Sequence, residues 1–348
     1  MGAPTVERPA RALPQVGPVG AGRRRALVVG AAASVVLIVL VVLGLILGDF
    51  PVALERIPAI LVGGGEGIER TVVVEWRLTR VIAAVGVGAL LGIAGALFQT
   101  VTRNPLASPD ILGLSSGAFT GMLLTLVLVS ASWQALVAGS LVGGLITALV
   151  IQLLASRDGL QGFRIIVVGI GVSAMLASMN TWLLLQVELE TAMFASAWGA
   201  GSLNGVAAGP VAGALLAALP IAVGAFCLVP RMRQLELGDD LAAATGARPQ
   251  AVRALALLAG VGLVSAATTV AGPVAFVALA APQIARRLAR TPSLPLGLSA
   301  LLGAVVLLAS DLVAQHALPM PLPVGVVTVS VGGVYLLSVI VMEIRRRA

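Results

Sequence analysis

Long uncharged apolar runs, separated by short segments that carry most of the arginines and prolines, dominate the chain. Leu27 to Gly48 is 22 residues, enough for one helix across a hydrocarbon core that needs about 20. Val81 to Thr102 is a second such run. Ile111 to Ser156 is uncharged throughout and predicts two helices with a break at Ser130-Ala131-Ser132-Trp133. Ile165 to Val187 is a fifth, and a sixth follows at about residues 207 to 229. Ala254 to Ala285 is flanked by Arg253 and by Arg286 and Arg287, with Ala271-Gly272-Pro273 in its middle, so it predicts a helical hairpin that turns at Gly272-Pro273. Pro295 to Gln315 and Val324 to Met342 bring the expected number of transmembrane helices to ten, the last two joined by the proline-rich turn Leu318 to Pro323.

Composition agrees with that pattern. Of 348 residues, 59% are hydrophobic and 11% charged, against roughly 45–50% and 25% in soluble domains. The fold class expected is an all-α polytopic membrane protein. Residues 1–26 read as a disordered cytoplasmic leader and 27–348 as one transmembrane domain. All 22 basic residues are arginine. Without lysine there is no P-loop, so any ATP hydrolysis the protein depends on must come from another polypeptide. A single histidine, His316, and a single cysteine, Cys227, exclude multi-ligand zinc, paired-haem and iron–sulfur sites and an internal disulfide. No cofactor or metal is therefore expected on this chain. The isoelectric point near 11.4 does not imply a nucleic-acid partner, because the charges are few and sit in small clusters between spans. With ten spans and the N-terminus inside, 18 arginines fall on the cytoplasmic side and four (Arg56, Arg70, Arg77 and Arg80) outside, which is the orientation the loop-charge rule favours.

Candidate functional residues are sparse. Asp311 is the one ionisable residue within an expected span, and it reads either as a hydrogen-bonded packing residue or as a proton relay. Gln99, Asn180 and Gln186 either bond a neighbouring helix or line a pathway. Arg103, Asn104 and Pro105, with Pro109 beyond, form a cytoplasmic turn or gate in which proline ends the helix and Asn104 bonds freed backbone groups. Leu235 to Gly246, within a loop of about 230–252, reads as a short cytoplasmic helix: Asp239 and Asp240 suit its N-terminus and Gly246 its end. Asp49, Glu55, Glu66, Glu69 and Glu75 lie among the four outer arginines, either to pair with a partner's charges or simply solvated.

Three stretches go further: Arg77-Leu78-Thr79-Arg80 with GALLGIAGALFQTVTRNPLASPDILGLSSGA (Gly88 to Ala118); LGDDLAAATGARP (Leu237 to Pro249) with AGPVAFVALAAPQIAR (Ala271 to Arg286); and SALLGAVVLLASDLVAQ (Ser299 to Gln315) with LPVGVVTVSVGGVYLL (Leu322 to Leu337). Together they resemble the FecCD-type permeases of ABC importers for ferric siderophores, haem and vitamin B12. The resemblance runs from about residue 35 to the end. It implies ten helices per subunit, a permease dimer around a central pathway, two cytoplasmic ABC ATPase subunits that bind the ATP and Mg, and a substrate-binding protein docked outside. Leu237, Gly238, Asp239, Asp240, Leu241, Thr245 and Gly246 would then be the ATPase-coupling element.

The closing run looks most like the second permease of ferric-enterobactin-type systems, which implies a siderophore as substrate and a homologous but different permease as partner, a homodimer being the alternative. Pro282-Gln283 stands where many relatives have Pro-His, Pro321-Leu322-Pro323 where many have Glu-Leu-Pro, and Val334 replaces a proline. The expectation is a permease subunit of the plasma membrane with both termini cytoplasmic, embedded in lipid and not itself an enzyme. Haem or cobalamin import and, from another class, proton-coupled secondary transport are the alternatives.

Overall fold

The computed structural model describes residues 19–65, 67–110, 113–155, 162–291, 293, 295–317 and 319–347. Residues 1–18 of the leader with Arg8 and Arg11, and also Glu66, Ile111, Leu112, Arg157 and Leu318, lie outside the described residues. Every regular element described is helical: α1 (Val19–Ile46), α2 (Thr79–Thr102), α3 (Leu114–Leu128), α4 (Trp133–Ala155), α5 (Gly162–Leu184), α6 (Leu189–Gly199), α7 (Ala208–Glu236), α8 (Asp239–Ala244), α9 (Pro249–Ala271), α10 (Val277–Ala289), α11 (Leu296–His316) and α12 (Val324–Arg347). Seven of the described helices are long and apolar enough to cross a membrane, and Leu114–Leu128 and Val324–Tyr335 are shorter apolar helices.

α2 is the axis of the bundle. Its apolar window is 78% buried, against 6% for α1 at the periphery. Lipid tails are as apolar as leucine, so association here rests on close packing rather than on escape from water. Small residues supply it. A Cβ on Gly88, Gly92 or Gly95 would run into the backbone of Gly303, Ser299 and Ala278, so α2 can meet α11 and α10 only with glycine at these places. The α3–α4 hairpin repeats the device with Gly117 and Gly121 facing Gly139 and Gly143.

The structure corrects several expectations. The eighth expected span, α10, has only 13 residues, about 20 Å of helix, because Gly272 to Phe276 is non-helical: Gly272 (φ 69) and Phe276 (φ 68) adopt left-handed backbone conformations. Its apolar positions are one-sided, so α10 is amphipathic and buries Ala278, Ala281 and Ala285 while turning Arg286 and Arg287 outward. The segment Asp49 to Arg80 is not an open outer loop. Short helical turns fill it, and wide helical turns over Thr71–Leu78 run directly into α2, so the continuous helix begins at Ile68, well before the apolar run that starts at Val81. The sixth span extends to Glu236 through Pro220 and Pro230, and α6 had no apolar run of span length to announce it. Gln186 is not in a span: α5 stops at Leu184 and Gln186 lies exposed in the turn that follows.

Candidate functional site

Two polar clusters sit at opposite ends of α2. At the end the arginine count places outside, Arg80 makes a bidentate pair with Asp311 on α11: Nε donates to Oδ2 and Nη2 to Oδ1, both at 2.7 Å. The third limb of the guanidinium donates from Nη1 to Asn204 Oδ1 at 2.8 Å, and Gln315 Nε2 donates to the same oxygen at 3.1 Å. Asn204 N in turn donates to Ser202 Oγ, and Ser202 N to the Ala271 carbonyl, so α2, α11, the 200–206 loop and the end of α9 share one network. The Asp311 side chain is only 3% exposed. A buried carboxylate is tolerated when a geometrically matched cation and further donors meet it.

Asp311 is therefore not a lone acid. Its cation escaped the sequence reading because it lies 231 residues away; the available signal was Arg80 itself, an arginine immediately before an uninterrupted apolar run.

One turn earlier, Arg77 is also buried, and it donates to the carbonyls of Leu45 (3.0 Å), Ile46 (3.2 Å) and Phe50 (2.6 Å). The last carbonyls of a helix lack intrahelical partners, and Arg77 supplies them for α1. Between these groups lies a cavity of about 760 Å³, lined among others by Asp49, Trp76, Arg77, Arg80, Asp311 and His316. The rim beyond it carries exposed Glu55, Arg70 and Glu75, an Arg56–Glu69 pair at 2.8 Å, and exposed apolar Leu54, Val62 and Trp76.

At the other end, α2 stops at Arg103, whose left-handed backbone (φ 50) turns the chain. Its Nη2 donates to the Leu235 carbonyl at 2.8 Å and to Asp239 Oδ1 at 2.7 Å, and Arg253 Nη2 reaches the same Oδ1 at 2.5 Å. The Arg253 hydrogen bond and charge, with those of Arg103, hold the Asp239 carboxyl below its ordinary value. The short helix is narrower than expected: Leu235 and Glu236 belong to α7, Gly238 (φ 109) makes the break, and α8 is Asp239–Ala244. Thr245 and Gly246 (φ 85) close it, with Gly246 N donating to Ala243 O and Ala247 N to Ala242 O. Ala242 is buried, whereas Leu237 and Leu241 are 62% and 58% exposed. The element is thus fastened from beneath by two arginines and presents two leucines outward.

The adjoining turn is a structured one. Asn104 Oδ1 accepts from Leu106 N at 2.9 Å, its carbonyl accepts from Ala107 N, Pro105 is exposed, and the carbonyl of buried Pro109 accepts from Leu114 N. Gln99 is a packing residue: Nε2 donates to Leu279 O at 3.1 Å and Oε1 accepts from Gln283 Nε2 at 2.5 Å, which ties α2 to α10. Asn180 likewise accepts from Thr120 Oγ1 at 2.6 Å between α5 and α3.

Comparison with known proteins follows the same outline. The sequence profile described as the FecCD transport family matches residues 36–342. The chain is 46% identical to the ferric enterobactin transport system permease protein FepG of Escherichia coli, over 87% of this chain and 92% of that one. It is 34% identical to the achromobactin transport system permease protein CbrC of Dickeya dadantii, over 78% and 79%. Among solved structures, a metal-chelate type ABC transporter in an inward-facing conformation shares the fold with a TM-score of 0.78 at 23% identity, covering 91% of this chain and 99% of that one.

Proposed function

The chain belongs to the FecCD transport family, and from that premise we infer that it is the multi-pass membrane permease of an ABC importer and carries a ferric siderophore across the membrane. The observation that carries this is the 46% identity to a ferric enterobactin permease over nearly the whole of both chains. A catecholate chelate of that kind is the substrate we propose.

The two ends of α2 divide the labour. We propose that the α8 end faces the cytoplasm, where exposed Leu237 and Leu241 enter a groove on an ATPase subunit that supplies ATP and Mg chemistry this lysine-free chain lacks. Closure of two such subunits pushes α8, and Arg103 passes the displacement to α2. The opposite rim, with its exposed charges and apolar side chains, receives a loaded binding protein from outside. A second, homologous permease completes the pathway. Neither end needs to bind the chelate tightly, since recognition is left to the binding protein.

The proton-coupled alternative loses its support. Asp311 was its one candidate relay within the spans, and both oxygens of that carboxylate are engaged by Arg80 as an interhelical fastening.

Growth under iron limitation tests the reading. A strain lacking this chain should fail to grow on a ferric catecholate as sole iron source and recover when the chain is returned. Unimpaired uptake in the deletion strain, or uptake that persists without ATP, would overturn it.

A further inference from the structure

The end of α10 gathers five arginines that the transport reading leaves unused. Arg286, Arg287 and Arg290 all stand exposed at its last turn, and Arg24 and Arg25 stand exposed at the start of α1. The two helices are held together. Arg25 Nε donates to the Leu288 carbonyl at 2.8 Å, and Ala33 packs with Ala281, Ala285 and Ala289, small residues that let the backbones approach. Arg287 lies over the Tyr335 ring at 5.6 Å, which connects α12 to the patch. None of the five pairs with a carboxylate among the described residues. Directly beside this charge lie exposed apolar side chains: Leu288 at 44%, Leu27 at 68% and Val28 at 61%.

We propose that this patch is a binding site for an anionic phospholipid of the cytoplasmic leaflet. Arginine forks match phosphate oxygens bidentately, and basic pockets between helices at the cytoplasmic surface attract anionic head groups. Leu27, Val28 and Leu288 give the acyl chains an apolar wall directly above the charge, a combination that a free anion has no use for. The occupant would bridge α1, the most peripheral helix, to the half-length α10 that packs on α2. The site does not depend on which chelate is carried, and only its assignment to a leaflet rests on the orientation proposed above.

Native mass spectrometry of the detergent-purified full chain, titrated with phosphatidylglycerol or with phosphatidylcholine of the same acyl chains, tests it. Wild type should bind phosphatidylglycerol at least about fivefold tighter, the weight of one basic side chain at an anionic surface. Arg24→Gln/Arg286→Gln/Arg290→Gln should fall to the phosphatidylcholine level, while Arg231→Gln/Arg233→Gln, which removes two exposed arginines from α7, should keep the preference. Arg25 is spared because it caps α10. Equal binding of the two lipids, equal loss in both variants, or displacement of phosphatidylglycerol by inorganic phosphate at matched concentration would overturn the proposal. A triple variant that keeps lipid preference but no longer assembles with the ATPase subunit would mark the patch as a protein interface and overturn it equally.

Discussion

The two ends of α2 use the same pair of residue types and reach opposite results. At one, Arg80 and Asp311 meet with side chains 21% and 3% exposed; at the other, Arg103 and Asp239 meet with 48% and 47% exposed. The distances are the same, 2.7 Å. What differs is the alternative open to each charge once the contact breaks. Asp239 returns to water at little cost, whereas Asp311 would be left as an unpaired anion among helices. The Arg103–Asp239 contact can therefore open and close during a working cycle, and the Arg80–Asp311 contact behaves as a permanent fastening.

Removing one partner of the buried pair should have the largest effect. Asp311→Ala or Arg80→Ala is expected to cost about 3–5 kcal/mol, since each strands its partner, and to appear as a lowered thermal unfolding midpoint in detergent. The double variant Arg80→Met/Asp311→Leu should recover most of that loss. If both single variants unfold like wild type, the contrast between the ends collapses.

Next comes the backbone of α8. Asp239 is its first helical residue, where proline is accepted, so Asp239→Pro would report only the lost carboxylate. Gly246→Pro instead forces φ from 85 to about −65 and should sever ATP hydrolysis from uptake while thermal stability falls little. The check is the ratio of chelate transported to ATP hydrolysed in proteoliposomes. An unchanged ratio would make α8 an ordinary loop.

Smaller still is Arg103→Gln. An exposed pair is worth roughly 0.2–1 kcal/mol and is screened by salt, so unfolding should barely move while the transport-to-hydrolysis ratio drops. Raising salt should lower that ratio in wild type and leave the variant indifferent.

The smallest effect is that of pH on the same clamp. The Asp239 carboxyl is held below its ordinary value, near 3.9 in an unfolded chain. A depressed acid contributes its stabilisation above the unfolded value and loses it as pH falls through the folded one. Between pH 7 and 5 the stability difference between wild type and Asp239→Asn should be constant, and it should shrink only below about 4.

The helical fold was readable because lipid demands uninterrupted apolar runs, and each of the ten expected runs holds a helix among the described residues. Length was less readable than location. In the Ala254 to Ala285 run the turn at Gly272-Pro273 was legible, but not that the chain stays non-helical as far as Phe276, whose left-handed backbone leaves α10 only 13 residues. α6 was missed because Glu188 and Glu190 break the hydrophobic signal around it. Of the candidate residues, Asp239 and Gly246 could be placed from local rules of helix termini. Asp311, Gln99 and Asn180 take their meaning from Arg80, Gln283 and Thr120 on other helices, and one sequence gives no sign of which distant residue a polar side chain will meet.

The capping of α1 by Arg77 also dictates a chronology. A polytopic chain enters the bilayer in order of synthesis, and the carbonyls of Leu45 and Ile46 find their donor about 30 residues later, as soon as the second helix emerges. The first two helices are thus a unit that can mature at once. Arg80, three residues on, must keep its charge hydrated at the surface while more than 200 further residues are made. Only the arrival of Asp311 on α11 gives that charge its partner, so a helix synthesised late completes one synthesised early.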